Sequence, residues 1–294
     1  MYYLLYGFLY LLSLLPLRAL YILSDGVYVL IYYVFGYRKQ VVANNLAIAF
    51  PEKSEADRRS IMKQFYRNFV DNFIETIKLF SGGRKFTARH FHADPSLLEE
   101  LYKKGKKCQF HLGHNFNWEL ANVAVNYFTS YQILSVYMPI KNKVFEKIFL
   151  KLRSSSGSVM LPATDMKNAM LPYRDQQYVL ALVADQVPGD ESRAYWVDFF
   201  GRPTPFVRGP ERGARAGDLT VLFAQIYKTS RGQYHLDYEV YNENPPGLPE
   251  GKLTFDYVRY LEKSIRQHPE MWLWSHRRWK KEWKEEYRNL WIGE

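Results

Sequence analysis

Tyr178-Val179-Leu180-Ala181-Leu182-Val183-Ala184 is a run of seven apolar residues that stops at Asp185-Gln186. A strand solvated on one face alternates apolar and polar residues, whereas a strand covered on both faces reads as a continuous apolar stretch. The run therefore predicts the central strand of a sheet with helices on both sides. Outward from it, Cys108-Gln109-Phe110-His111-Leu112 reads as a short strand, with a helix from about Asn117. Residues 131–137 read as a strand and 144–152 as a helix. Residues 219–227 resemble the central run, and 234–241 alternate like a half-exposed strand. Strands separated by helices predict an α/β fold with a mixed, largely parallel sheet flanked by helices.

Before residue 84 the pattern changes. Residues 1–17 carry no charged side chain, and Arg18 is the first. A helix over that run would be about 26 Å long at ~1.5 Å per residue, slightly short of a ~30 Å hydrocarbon core. Pro16 marks either its end or the first turn of a second helix, within an apolar stretch (19–35) interrupted only by Asp25. Both pieces are rich in tyrosine, as suits a headgroup boundary, and Arg38-Lys39 would hold the far end on the cytoplasmic side. No basic leader or small-residue cleavage site marks a secretory signal. Residues 1–40 are thus expected to be a membrane-anchoring helix or hairpin, spanning or in-plane, with buried core helices as the alternative.

Residues 41–294 are expected to be one domain, with a leading helical part (41–83) and an α/β part (84–294). Ser54-Glu55-Ala56-Asp57 resembles a capping box. Ile61, Phe65, Phe69, Phe73 and Ile77 then recur at every fourth position, beside a basic stripe of Arg59, Lys63 and Arg67. That basic stripe is either a solvated face or a contact for an anionic lipid or carrier. Gly82-Gly83 is expected to end the region, and Pro245-Pro246-Gly247-Leu248-Pro249 to be a surface loop.

Composition narrows the class. The chain has 294 residues, 47% hydrophobic and 24% charged, which suits a folded core rather than disorder. A mean hydropathy of −0.35 excludes a polytopic membrane protein. One cysteine excludes a disulfide framework or a thiolate zinc cluster. Lys+Arg 40 against Asp+Glu 30 gives a net charge of +10, which points to an anionic partner. Nucleic acid is disfavoured, because the basic residues are spread and no recognition motif is present.

Ligands of such sheets gather beyond the carboxyl ends of the strands. Three polar groups fall there. In Gly113-His114-Asn115-Phe116-Asn117-Trp118-Glu119, His114 and Glu119 are five apart, ~140° around a helix at ~100° per residue. They converge only if His114 stays in the loop and Glu119 enters the first helical turn, with Asn117 as N-cap. That suits a His base oriented by a carboxylate. The second group is Asp185-Gln186. The third is Lys141, Asn142, Lys143 and Arg153, which together could hold phosphate. A metal set of His111, His114 and Glu119 with His90 or His92 is disfavoured, because alternation buries His111. Cys108 reads as an inert thiol among apolar neighbours.

These residues resemble the lipid A biosynthesis (lauroyl/myristoyl) acyltransferase family of the lysophospholipid acyltransferase superfamily. Its hallmark, a His, four intervening residues and then an acidic residue within a segment ending Asn-Trp-Glu, corresponds to His114 and Glu119. Asn45-Leu46 through Phe50-Pro51-Glu52 looks like the segment before its first long helix. Pro139-Ile140-Lys141-Asn142-Lys143, Arg153 and Gly157 are similar to its second block. Asp185-Gln186, Asp198-Phe199-Phe200-Gly201 and Thr204 resemble its third. Trp272-Leu273-Trp274-Ser275-His276-Arg277-Arg278 resembles its closing Trp-x-Trp-x-His-x-Arg segment. One position departs: Phe116 stands where the family usually has Gly, which bears on the shape of the pocket mouth.

The resemblance implies a glycerolphosphate-acyltransferase-like fold and transfer of an acyl chain from an acyl carrier protein thioester to a hydroxyl of an anionic lipid A precursor. The setting implied is the cytoplasmic face of a bacterial inner membrane. His114 is the general base, Glu119 its orienter and Arg153 the stabiliser of phosphate or oxyanion, with Lys141, Asn142 and Asp185 as further substrate-binding candidates. No metal or organic cofactor is implied, because the thioester carries its own activation. Other lipid acceptors, or an inactive membrane-tethered lipid-binding protein, are the alternatives. Five of seven tryptophans lie in the last segment, as core packing or as an interfacial belt.

Overall fold

The computed structural model describes residues 1–293. Helices α1 (Tyr2–Ser13), α2 (Leu17–Val29) and α3 (Lys39–Ala49) precede the long α4 (Glu55–His90). Then follow β1 (Phe91–Ala93), α5 (Ser96–Lys103), β2 (Cys108–Leu112), α6 (Trp118–Val125), β3 (Gln132–Tyr137), α7 (Lys143–Arg153) and β4 (Val159–Pro162). The chain continues through α8 (Met166–Ala169), β5 (Tyr178–Val183), β6 (Tyr195–Asp198), β7 (Pro203–Phe206), α9 (Gly209–Gly217), β8 (Thr220–Ser230), β9 (Gln233–Asn242) and α10 (Lys252–Gln267).

Among the described residues seven strands form the main sheet in the order β1-β9-β8-β2-β5-β3-β4. Only the β8–β9 pair is antiparallel, so the sheet is mixed and largely parallel as expected. The apolar run beginning at Tyr178 is interior, between β2 and β3. Parallel neighbours β2 and β5 run in register, Leu112 opposite Val183. Alternation then divides their side chains. Gln109 and His111 face α9 and α10, where the Gln109 amide meets the Pro210 carbonyl and the His111 ring meets Tyr257. Ser135 of β3 faces the opposite side, where its hydroxyl bonds Asn122 of α6.

Ser54 caps α4 as its sequence predicts, its hydroxyl accepting from the Asp57 amide. Gly82-Gly83 does not end the helical region: the chain bends at Gly83, with φ at +55°, and helix resumes to His90. The every-fourth-residue stripe also behaves as helix geometry requires. Each four-residue step advances about 400°, so the stripe drifts ~40° per step. Phe65 is fully buried, whereas Phe73 emerges exposed.

The N-terminal helices lie along α4 rather than standing apart from it. Ser24 donates to Asp71 at 2.6 Å and the Tyr21 hydroxyl to Glu75 at 2.8 Å. Leu20, Tyr28 and Tyr32 join the main core. At the tip of the β8–β9 hairpin, Arg231 grips both Asp25 and Asp71 at 2.8 Å. The outward side of α1, α2 and the turn after them is apolar, with Leu4, Phe8, Leu11, Ile22, Val34 and Phe35 exposed. Leu17–Val34 is long and apolar enough to cross a membrane by length and composition, and is a candidate anchor. The terminal tryptophans follow the core-packing expectation: Trp272 and Trp274 are buried and Trp279 stacks on Phe199.

Candidate active site

The loop after β2 begins with a residue that has no room for a side chain. A Cβ on Gly113 would lie 2.6 Å from Leu261 Cδ1 and 2.9 Å from Asn115 Oδ1. The loop then pairs with the closing segment: the Phe116 amide donates to the Met271 carbonyl, and the Leu273 amide to that of His114. Phe116 is buried against Phe65, Phe69 and Trp118, away from the cavity described below.

His114 and Asp185 each lie two residues beyond a registered pair, so the parallel strands deliver them to the same place. His114 Nδ1 and Asp185 Oδ1 are 2.5 Å apart, while Asp185 Oδ2 accepts from the His114 amide (2.7 Å) and from Trp272 Nε1 (2.6 Å). Burial alone would raise the pKa of Asp185. The facing imidazole and these donors outweigh it, and hold the carboxyl at about 2. An ionised Asp185 fixes the proton on Nδ1 and leaves Nε2 as an acceptor. Nε2 faces the half-open side, where the Gln186 amide lies 3.1 Å away.

Glu119 does not reach His114. Asn117 caps α6 by accepting from the Leu120 amide, as predicted, and Glu119 sits in the first turn, but α6 turns the carboxylate toward the end of α7. There Arg153 holds it in a fork, with Nε to Oε2 at 2.8 Å and Nη2 to Oε1 at 2.5 Å. The expected His114–Glu119 contact is therefore replaced by two pairs, His114–Asp185 and Glu119–Arg153. Among the described residues, Arg153 Nη1 has no hydrogen-bond partner.

Lys141, Asn142 and Arg153 do not cluster. Asn142 is the exposed N-cap of α7, Lys141 is exposed beside it, and Arg153 lies at the other end, about 16 Å away at ~1.5 Å per residue. Cys108 is buried beside the Tyr131 hydroxyl, and burial pushes its thiol up to about 11.

Two contributions were not read from the sequence. Trp272 completes the cradle of Asp185. Glu75, wholly buried on α4, accepts from Asn117 Nδ2 (3.0 Å), Tyr234 (2.7 Å) and Tyr21 (2.8 Å), and so ties the loop carrying His114 to α2. The heptad-like pattern of α4 carried a signal, since Asn68, Asp71, Asn72 and Glu75 fall at positions that face the core.

His114, Glu119, Arg153 and Gln186 border a largely apolar cavity of about 1260 Å³. A ring nitrogen free to take a proton thus stands at the mouth of a space fit for an aliphatic chain. The model of the bacterial lipid A biosynthesis acyltransferase family matches residues 1–281. The chain belongs to that family. The match takes in α1 and α2 as well as the sheet and most of the closing segment, so the apolar N-terminal helices are part of what acyltransferases of this family share with the chain. None of the curated proteins compared with the chain matches it.

Proposed function

We propose that the protein is a membrane-associated O-acyltransferase that moves an acyl chain from an acyl carrier protein thioester to a hydroxyl of a lipid A precursor. The observation that carries this reading is His114 Nε2, left as an acceptor by Asp185, at the mouth of an apolar cavity. The acceptor hydroxyl displaces the Gln186 amide and gives its proton to Nε2 as its oxygen attacks the thioester carbonyl. The tetrahedral intermediate collapses with loss of the carrier thiolate, and the imidazolium returns the proton to that sulfur. General base catalysis of this kind contributes about 10²–10⁴-fold.

Asp185 positions the ring and stabilises the imidazolium, the role first expected of Glu119. Glu119 orients Arg153, whose Nη1 donates to the developing oxyanion or to an acceptor phosphate. Lys141 and Asn142, next in sequence to the cavity-lining Ile140, act at the cavity's outer rim. The protein lies at the cytoplasmic face of the inner membrane with the apolar side of α1 and α2 in the lipid. Because α2 is bonded along its length to α4, an in-plane seat fits better than a span. Met138 is exposed and also borders the cavity, which gives a lipid a route inward. An acidic carrier and a phosphorylated acceptor both complement the charge of +10.

The test is acyl transfer from a panel of acyl carrier protein thioesters into a membrane-lipid extract, with products read by mass spectrometry. A bisphosphorylated glucosamine lipid should gain one acyl chain with wild type and none with His114→Ala. Gain by a different lipid would move the acceptor, and no transfer from any donor by folded protein would remove the enzyme reading.

A further inference from the structure

The cavity reaches around the carboxyl edge of the sheet and has an arm on each face. Strand alternation separates them. Phe110 and Ala181, a registered pair, line the arm under α6, whereas Gln109 and its partner Leu180 line the arm beside α9. Transfer needs one enclosed arm for the donor chain, and the α6 arm, floored by buried Ile226 and Leu236, suits that. The α9 arm is left without an occupant.

Its wall is unusual in two respects. Gly209, Gly213 and Gly217 recur every fourth residue on α9, and all three line the arm. A Cβ at Gly209 would meet nothing within 4 Å, and one at Gly213 only Gln109 Oε1, at an ordinary 3.7 Å. Packing within the protein therefore does not call for glycine at these two positions, and what a larger side chain would occupy is the arm itself. The second respect is Gln109. It is fully buried, its Nε2 donates to the Pro210 carbonyl at 2.8 Å and lies 2.6 Å from His111 Nε2, and its Oε1 has no partner. The Pro210 carbonyl fixes which way the amide points. A buried acceptor without a donor is costly, and a donor on a ligand relieves it.

We propose that the α9 arm binds a hydroxyl-bearing aliphatic chain belonging to the acceptor lipid, with the hydroxyl donating to Gln109 Oε1. This rests on the acyltransferase reading for the identity of the lipid, though not for the existence of the site. Five residues of extended chain separate Gln109 from His114, about 16 Å at ~3.3 Å per residue. A hydroxyl next to the donor's carbonyl sits at His114 and cannot extend that far. The acceptor can present one hydroxyl at His114 and a second, on another of its chains, at Gln109.

The experiment measures displacement of a fluorescent fatty acid from the full-length protein by tetradecanoic acid and by hydroxytetradecanoic acids. The hydroxylated chain should bind about fivefold more tightly to wild type, the ratio expected of one net hydrogen bond of about 1 kcal/mol. Gln109→Leu should abolish that preference while keeping the plain chain. Gly213→Leu, which fills the arm from the helix side and leaves the amide intact, should also abolish it, with thermal melting to show that each variant is folded. Equal affinity of the two chains for wild type, or a preference that survives Gln109→Leu, overturns the site. In transfer assays Gln109→Leu should raise KM for the acceptor alone, and a change confined to the donor overturns the acceptor assignment. His114→Ala should lose transfer and keep the hydroxyl preference, whereas absence of transfer by wild type with the preference intact would sink the enzyme reading and spare the site.

Discussion

His114 is paired through strand register rather than through its own sequence neighbourhood. The sequence places a histidine near two carboxylates but does not say which of them it meets. Glu119 is the nearer along the chain, and helix α6 carries it away to Arg153. Asp185 is 71 residues distant, and the parallel register of β2 and β5 brings it to the ring. Given adjacent strands that end level, residues two beyond each end must meet, so strand order was the missing information. Asp185→Asn should lower kcat/KM by about 10³–10⁴-fold, by analogy with loss of the orienting carboxylate in serine protease triads, with the melting profile showing an intact fold. The same residue sets an acid limb of stability. Its pKa in the folded protein, about 2, lies below that of an ordinary aspartate, so its contribution is present above the ordinary aspartate value and is lost as pH falls toward 2. Urea midpoints between pH 4 and 2 should therefore fall less steeply in Asp185→Asn than in wild type. For the second pair, Arg153→Met strands a buried carboxylate and should cost about 3–5 kcal/mol, most of it regained in Glu119→Leu/Arg153→Met. Equal destabilisation of the single and double variants would remove this account.

Among the elements, α4 was half legible. Its start follows from Ser54, and its apolar repeat identifies a helix, but pattern alone could not assign the polar residues on its inner face. Asp71 and Glu75 are buried because partners come from α2, from the hairpin and from the loop before α6, and such partners have no local sequence signature. Glu75 is held above the usual carboxylate range, chiefly by burial. Asn117 is the point where this network reaches the site, since one amide both caps α6 and donates to Glu75. Asn117→Ala should cost about 1 kcal/mol for the cap and a further ~1–3 kcal/mol for the donor lost to a buried group. Chemical denaturation reads the sum, and a loss under 1 kcal/mol would mean that the network does not hold the helix start.

For the whole molecule, composition and order of elements made the fold readable, while the attitude of the N-terminal helices was not. Hydrophobicity says that residues 1–35 avoid water, and only tertiary contacts say that one side of them avoids it by packing on α4. The other side forms an exposed apolar face. Leu4→Glu, Phe8→Glu and Ile22→Glu combined should reduce sedimentation with anionic vesicles at least tenfold without lowering the melting temperature, because these side chains touch solvent in the folded protein. Unchanged sedimentation would place the lipid contact elsewhere.

The closing segment has a bearing on how the protein comes into being. Trp272 supports Asp185, the Met271 carbonyl receives the Phe116 amide, and Asn45 takes the carbonyls of Trp274 and His276 across more than 220 positions of chain. A ribosome exposes these partners after the strands and helices that they complete. On the seating in lipid proposed above, the apolar leading helices would meet the bilayer during synthesis before the groups around His114 can assemble, and a nascent chain would reach its membrane while still chemically silent.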